Sequence, residues 1–451
     1  MLPTIAELAA SLARGTTSRQ LVEGCLERIL DGGGEGSRAF TRVYVDGARA
    51  AADAADKLRS AGVTLSPLAG LPVSVKDLFD VAGETTLAGS KVLRREAPAS
   101  ADAEAVARLR RAGAVVVGKT NMTEFAFSGL GLNPHYGTPR NAWDRGVGRI
   151  PGGSSAGAAV SVTDGMAAFA IGTDTGGSVR IPAALCGLVG FKPTARRVSS
   201  VGCFPLSRSL DSIGPIARSV ACCAVIERVI AADPTPVPRA LPIAGLRLGV
   251  PRQYVFEDLD PEVGRAFSVA TSALSAAGAR VVDVDMPELL ELPAINQLGG
   301  FGVMEAYAVH RARVAEHGSE YDPRVASRIA RGPAAGAADY IDLLDRRAAF
   351  IARVERAAAP FDALVFPTVA LVAPPLAELE ASDQAYFRAN ARALRNTTVI
   401  NVLDGCAPAV PCHAPGAAPV GFMVAGCRGT DDRTLAAALA IEGTLRTAHQ
   451  P

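Results

Sequence analysis

Lysine is scarce in this chain: 5 lysines stand against 41 arginines, and none follows Lys192. With arginine as the default cation, the positions that stay lysine are ones where a permanent charge or a forked head would not serve. Aromatic residues make up only 5% of the chain, with a single Trp. Neither charge sign is in excess, since the formal net charge is +1 and no block of like charges occurs. That balance speaks against a nucleic-acid partner or an anionic membrane surface. No uninterrupted apolar run reaches the roughly 20 residues of a membrane span. The start, MLPTIAELAASLARG, lacks a basic stretch followed by an apolar core. It reads as an amphipathic helix and not as a signal peptide, so a soluble, cytoplasmic protein is expected. The eight cysteines (Cys25, Cys186, Cys203, Cys222, Cys223, Cys406, Cys412, Cys427) form no CxxC pair, and reduced core thiols are expected. The five histidines show neither HExxH nor paired ligand spacing. No metal and no cofactor is expected. Internal repeats and low-complexity tracts are absent too.

What is present is a hydrophobic content of 49% over 451 residues, ample for a large core. Residues 4–30 suggest two helices broken at Gly15-Thr16-Thr17, with Thr17 to Gln20 offering a capping box. Ala48 to Ser60 reads as a helix, and Leu71, Val73 and Val75 as a strand that runs into Lys76-Asp77. A charged helix over 102–112 leads to the strand Ala114–Val117. Gly113 to Thr120 formally fits the phosphate-loop pattern GxxxxGK[ST], but its centre, AVVV, is a buried strand and not a cradle of N–H groups. Residues 232–242, ADPTPVPRALP, are a surface connection. Strand Leu246–Val250, helix Pro261–Gly278 and strand Arg280–Val284 follow it, and residues 300–345 read as helical.

The rest of the chain is organised around residues 152–194, GGSSAGAAVSVTDGMAAFAIGTDTGGSVRIPAALCGLVGFKPT. Small residues suited to a tightly packed helix lead to an apolar strand, Ala167–Ile171, and then to Asp174-Thr175-Gly176-Gly177-Ser178. Glycines before a serine let backbone N–H groups converge on one spot, where they can stabilise an oxyanion. The serine after them is placed to be a nucleophile. A plain turn is the competing reading. Gly153-Ser154-Ser155-Ala156-Gly157 also fits the GxSxG nucleophile elbow, which should follow a strand; the residues before it look like loop.

This segment resembles the signature of the amidase signature family, serine hydrolases with a Ser–Ser–Lys triad. The match is ungapped over GGSSAG, GTDTGGSVRIPAALCG and FKPT, with Ser178 24 positions after Ser154. It extends to GLPVSVKD around Lys76, to GKTNMTEF, to SLDSIGP and to TTVINVLDG. Ala142, where the family usually has proline, is a departure confined to a loop. The resemblance is weakest at 230–345.

It implies an α/β fold with a central mixed, mostly parallel sheet covered by helices. One domain over residues 1–451 is expected, with an N-terminal helical segment to about residue 60 and a less family-like lobe at about 232–345. It further implies that Ser178 attacks the carbonyl and that Ser154, after a cis peptide bond, relays the proton to neutral Lys76. The N–H groups of Thr175, Gly176, Gly177 and Ser178 would hold the oxyanion. Lys76 could instead be a surface partner of Asp77. Asp174 and Arg180 read as an ion pair bracing the loop, and His135 as a loop histidine donating a backbone hydrogen bond. Met122, Phe125 and Phe127 are acyl-pocket candidates that could equally be core.

The expected activity is hydrolysis of a small, mostly uncharged amide or carbamate. The alternatives are a biuret or urea-derivative hydrolase and the glutaminase subunit of a tRNA-dependent amidotransferase. Arg347 stands where that subunit carries an arginine, as it does in many other members. A catalytically dead binding protein is the non-enzyme alternative. A homodimer stays open.

Overall fold

A single eleven-stranded sheet runs through the molecule. The structure is a computed structural model that describes residues 3–448. In chain order the strands are β1 (Phe40–Val43), β2 (Pro72–Lys76), β3 (Val115–Thr120), β4 (Phe169–Asp174), β5 (Val189–Lys192), β6 (Ser212–Ala217), β7 (Arg247–Pro251), β8 (Arg280–Val284), β9 (Ala363–Pro367), β10 (Ala407–Pro411) and β11 (Gly421–Ala425). Across the sheet they lie in the order β1-β3-β2-β4-β6-β5-β10-β11-β9-β7-β8. The α/β class and the mixed sheet agree with the sequence reading. The balance of directions does not. Four pairings are parallel: β2 with β3 and β4, and β7 with β8 and β9. The other six are antiparallel and fill the middle of the sheet and its β1 edge.

Every residue of β2, β3 and β4 is buried. Parallel strands need crossovers, and the crossover helices cover both faces. The helix Ala156–Thr163 is one such cover. Its small residues let it sit very close: a Cβ on Gly157 would stand 2.2 Å from Ala39 O. Under it, Ser74 Oγ of β2 lies 2.8 Å from Ser161 Oγ. β4 begins later than its apolar run suggested and continues to Asp174, because β6 pairs with Thr173 and Asp174 and keeps the backbone extended. Likewise β3 runs through Gly118-Lys119-Thr120, which pair with β1 on one side and β2 on the other. The 232–345 region contributes β7 and β8 to the edge of this same sheet. At the N-terminus the helices Ile5–Ala13 and Ser18–Leu30 form as expected, and Thr17 and Gln20 close a capping box. Among the described residues no helix is long and apolar enough to cross a membrane.

Candidate active site

β2 and β4 run side by side, with Val75 opposite Ile171. The next residues along the two strands bring Lys76 to Thr173, and Lys76 Nζ donates to Thr173 Oγ1 at 2.9 Å. Its second bond goes to Ser154 Oγ at 2.7 Å. Ser154 precedes the helix Ala156–Thr163 and follows a cis Gly153–Ser154 peptide. Lys76 and Ser154 are both fully buried. Burial is the main influence on the ammonium and pulls its pKa down to about 7, against the opposing pull of Asp211, Asp174 and Cys203. A lysine in that range is substantially neutral near pH 7, so its nitrogen can accept a proton. Asp77 does not pair with Lys76; its carboxylate takes Lys119 Nζ at 2.9 Å instead. That contact also accounts for the lysine of the apparent phosphate loop, which lies on β3.

Ser178 closes the turn after β4 and is 3% exposed. The carbonyls around it are occupied. Asp174 O accepts from Ser212 Oγ and Asn401 Nδ2, and Gly176 O from Thr397 Oγ1 at 2.5 Å. Gly177 O takes the N–H of Ile181, and Ser178 O that of Ser155. By contrast, the N–H groups of Thr175, Gly176, Gly177 and Ser178 donate to nothing among the described residues. Four unspent donors therefore share one short turn in which the carbonyls of Asp174, Gly176, Gly177 and Ser178 are tied elsewhere. Gly177 has φ +137°, and a Cβ there would meet Thr397 Oγ1 at 2.2 Å. No hydrogen bond joins Ser154 Oγ to Ser178 Oγ among the described residues.

Beneath the turn lies the Asp174–Arg180 pair, with both side chains fully buried. Asp174 accepts from Arg180 Nε at 3.0 Å and Nη2 at 2.9 Å, and from Asn401 Nδ2 at 2.9 Å. Burial alone would raise the carboxyl pKa; the Arg180 charge and hydrogen bonds outweigh it and hold it at about 2. The sequence reading anticipated this brace but not its anchors, Thr397 and Asn401 on the helix Asp383–Leu403. It also gave no role to Thr173 or Asp211, although both lie within quoted motifs. Asp211 accepts from Thr175 Oγ1 at 2.5 Å and from the N–H groups of Leu206 and Ser207. Burial raises its pKa to about 6 against the pull of those bonds.

A cavity of about 100 Å³ opens beside Thr173, Thr175 and Asp211, with Cys203, Phe204, Arg196 and Arg208 on its walls. Ala126 is the one residue of the NMTEFAF segment that lines it. Met122, Phe125 and Phe127 are 0%, 1% and 9% exposed and belong to the core. Phe125 packs against Phe204, His310 and Tyr321. A larger cavity of about 810 Å³, flanked by the helix Val45–Ser60, contains none of the residues around Lys76 and Ser178. The smaller one reaches Thr173, which binds Lys76, and Thr175 of the turn before Ser178.

Ser155, centre of the apparent elbow, is fully buried, and a Cβ on Gly172 of β4 would stand 2.6 Å from its hydroxyl. His135 donates its backbone N–H to Asn133 Oδ1, and its ring Nε2 lies 2.8 Å from Glu124 Oε1. Arg347 spends its guanidinium on the carbonyls of Val402, Ser209 and Asn401. No group of three or more His, Cys, Asp or Glu among the described residues could hold a metal ion.

A family model described as Amidase matches residues 20–435. The chain is 40% identical to 2-amino-5-chloromuconic acid deaminase of Comamonas testosteroni, covering 90% of this chain and 88% of that one. It is 38% identical to a glutamyl-tRNA(Gln) amidotransferase subunit of Roseiflexus sp. (strain RS-1), over 96% and 94% of the two chains. A crystal structure of an amidase superposes with a TM-score of 0.88 at 34% identity, covering 98% of this chain and 99% of that one.

Proposed function

The chain belongs to the amidase family of hydrolases acting on C–N bonds, and from that premise we propose that it cleaves a small amide or carbamate through an acyl-enzyme on Ser178. The observation that carries this reading is the 2.7 Å contact between Ser154 and a fully buried Lys76 whose pKa is drawn to about 7. Serine is a weak nucleophile until a base takes its proton. Neutral Lys76 takes the proton of Ser154, and Ser154 takes that of Ser178 as substrate enters and aligns the two hydroxyls. The carbonyl oxygen then turns toward the N–H groups of Thr175, Gly176, Gly177 and Ser178 as it gains charge, which is where fixed donors lower the barrier most. On collapse, the proton held by Lys76 returns through Ser154 to the leaving nitrogen. Water hydrolyses the acyl-enzyme by the same relay.

The expected preference for an uncharged substrate drew on the apolar NMTEFAF segment, which carries Met122, Phe125 and Phe127, and on the weak resemblance over 300–345. With those three in the core, the cavity walls at Arg196, Arg208 and Asp211 replace them as the guide to the substrate. The name of the Comamonas relative gives it an acidic substrate. The glutaminase-subunit reading keeps one observation in its favour, the match to the Roseiflexus protein over 96% of this chain. Arg347, committed to three backbone carbonyls, adds no support to it. A panel of small amides, aryl carbamates, biuret and glutamine, assayed with the purified chain alone, separates the readings. We expect turnover of an amide or carbamate, little glutaminase activity, and no turnover by folded Ser178→Ala. Efficient glutaminase activity dependent on added partner subunits and charged tRNA would reverse the assignment. Retained activity in Ser178→Ala would remove the nucleophile.

A further inference from the structure

Arg208 lines the cavity beside Thr173 and Thr175, is exposed, and makes no hydrogen bond or ion pair among the described residues. The backbone that carries it is held on both sides. Ser207 Oγ, Ser209 N and Ser209 Oγ all donate to the Glu305 carboxylate, at 2.8, 3.0 and 2.5 Å. Tyr340 OH joins them at 2.6 Å, and Arg347 Nη1 donates to Ser209 O. Ser207 N donates to Asp211, whose own N–H returns to Ser207 O at 2.7 Å. Residues 207–211 thus form a braced hoop that carries Arg208, whose guanidinium has no partner among the described residues.

The other charges on the cavity wall are committed. Arg196 pairs with Asp404 at 2.9 Å, and Asp211 is engaged by Thr175 and two backbone amides. Among the described residues that leaves Arg208 as the uncommitted positive charge of a cavity that reaches Thr173 and Thr175. A planar guanidinium is suited to a carboxylate, which it can bind through two parallel N–H···O bonds. We infer that Arg208 recognises a carboxylate carried by the substrate at a distance from the scissile C–N bond. This rests on the amidase reading above and specifies its substrate class: an acid-bearing amide or carbamate.

The test uses two matched series on the purified chain. In one, half-amides of malonic, succinic and glutaric acids are compared with their diamides. In the other, N-benzoylglycine is compared with N-ethylbenzamide, which places the charge on the amine side. In at least one series the charged member should be preferred by roughly tenfold or more in kcat/KM, the scale of one charge-assisted bidentate contact. Arg208→Met should bring that ratio to about 1, chiefly through the KM of the charged member, and Arg208→Lys should keep part of it. Because the ratio is taken within each variant, a general loss of active enzyme cancels. No charged preference in either series, or a preference that survives Arg208→Met, overturns the inference. Labelling by a neutral fluorophosphonate probe, lost in Ser178→Ala, tests the acyl-enzyme reading separately. Labelling of the wild-type chain that persists in Ser178→Ala counts against that reading, whatever the ratios show.

Discussion

Of the five lysines, three are buried, and each is committed to different partners. Lys76 meets Ser154 and Thr173, Lys119 pairs with Asp77, and Lys192 donates to the carbonyls of Pro193 and Gly405. Lys57 and Lys91 are exposed, so scarcity alone could separate neither buried from exposed lysines nor a candidate base from structural ones. The resemblance around GLPVSVKD is what proposes Lys76 as the base, and Asp77, its neighbour in sequence, pairs with Lys119 instead. Asp211 was not legible as a functional residue, since its partners arise from a hoop that forms only in three dimensions. Its negative charge favours the protonated form of Lys76. Protonated lysine cannot act as a base, so kcat/KM of the wild-type chain should rise with pH through about 7. Asp211→Asn should move that limb to lower pH and reduce the plateau about tenfold, roughly 1.4 kcal/mol, by loosening Thr175. A pH–rate profile from 5 to 9 checks both. An unmoved limb would remove Asp211 from the electrostatics of the site.

At the scale of elements, the turn after β4 is fixed by the helix Asp383–Leu403, some 220 residues further along the chain. Sequence could show that GTDTGGS needs glycines and that Asp174 and Arg180 lie within reach of each other. It could not show that Thr397 occupies the space above Gly177, because TTVINVLDG carries no local sign of its target. The consequence is specific. Gly177→Ala combines a left-handed φ with a Cβ placed against Thr397 Oγ1. The turn must shift, and its N–H groups shift with it. We expect kcat to fall by about 10²–10³, the cost of losing an oxyanion donor, while far-ultraviolet circular dichroism stays that of the wild-type chain. Near-normal kcat would mean that these donors are not used.

For the molecule as a whole, alternation of helices and buried strands was enough to give the class. It was not enough to give strand directions, since a strand covered on both faces reads as the same apolar run whether its neighbours are parallel or antiparallel. The expected mostly parallel sheet therefore met six antiparallel pairings. The 232–345 region was legible as α/β and as a lobe that could pack on the same sheet, but not as two strands that extend its edge. Its strands β7 and β8 continue the ladder from β9. We take the chain as one domain on this basis and expect one cooperative transition in differential scanning calorimetry, with calorimetric and van't Hoff enthalpies in agreement. Two resolved transitions would divide it.

The account turns on Lys76 as a neutral base, and replacing it with arginine tests that most directly. Arginine keeps the charge and much of the bulk but stays protonated at every working pH. kcat/KM should be measured for Lys76→Arg and Lys76→Ala beside the wild-type chain, with thermal unfolding of all three. Both variants should be nearly inactive, and Lys76→Arg should show no recovery as pH rises. Substantial activity in a Lys76→Arg variant of wild-type stability would contradict the account and leave Ser154 and Ser178 without their base.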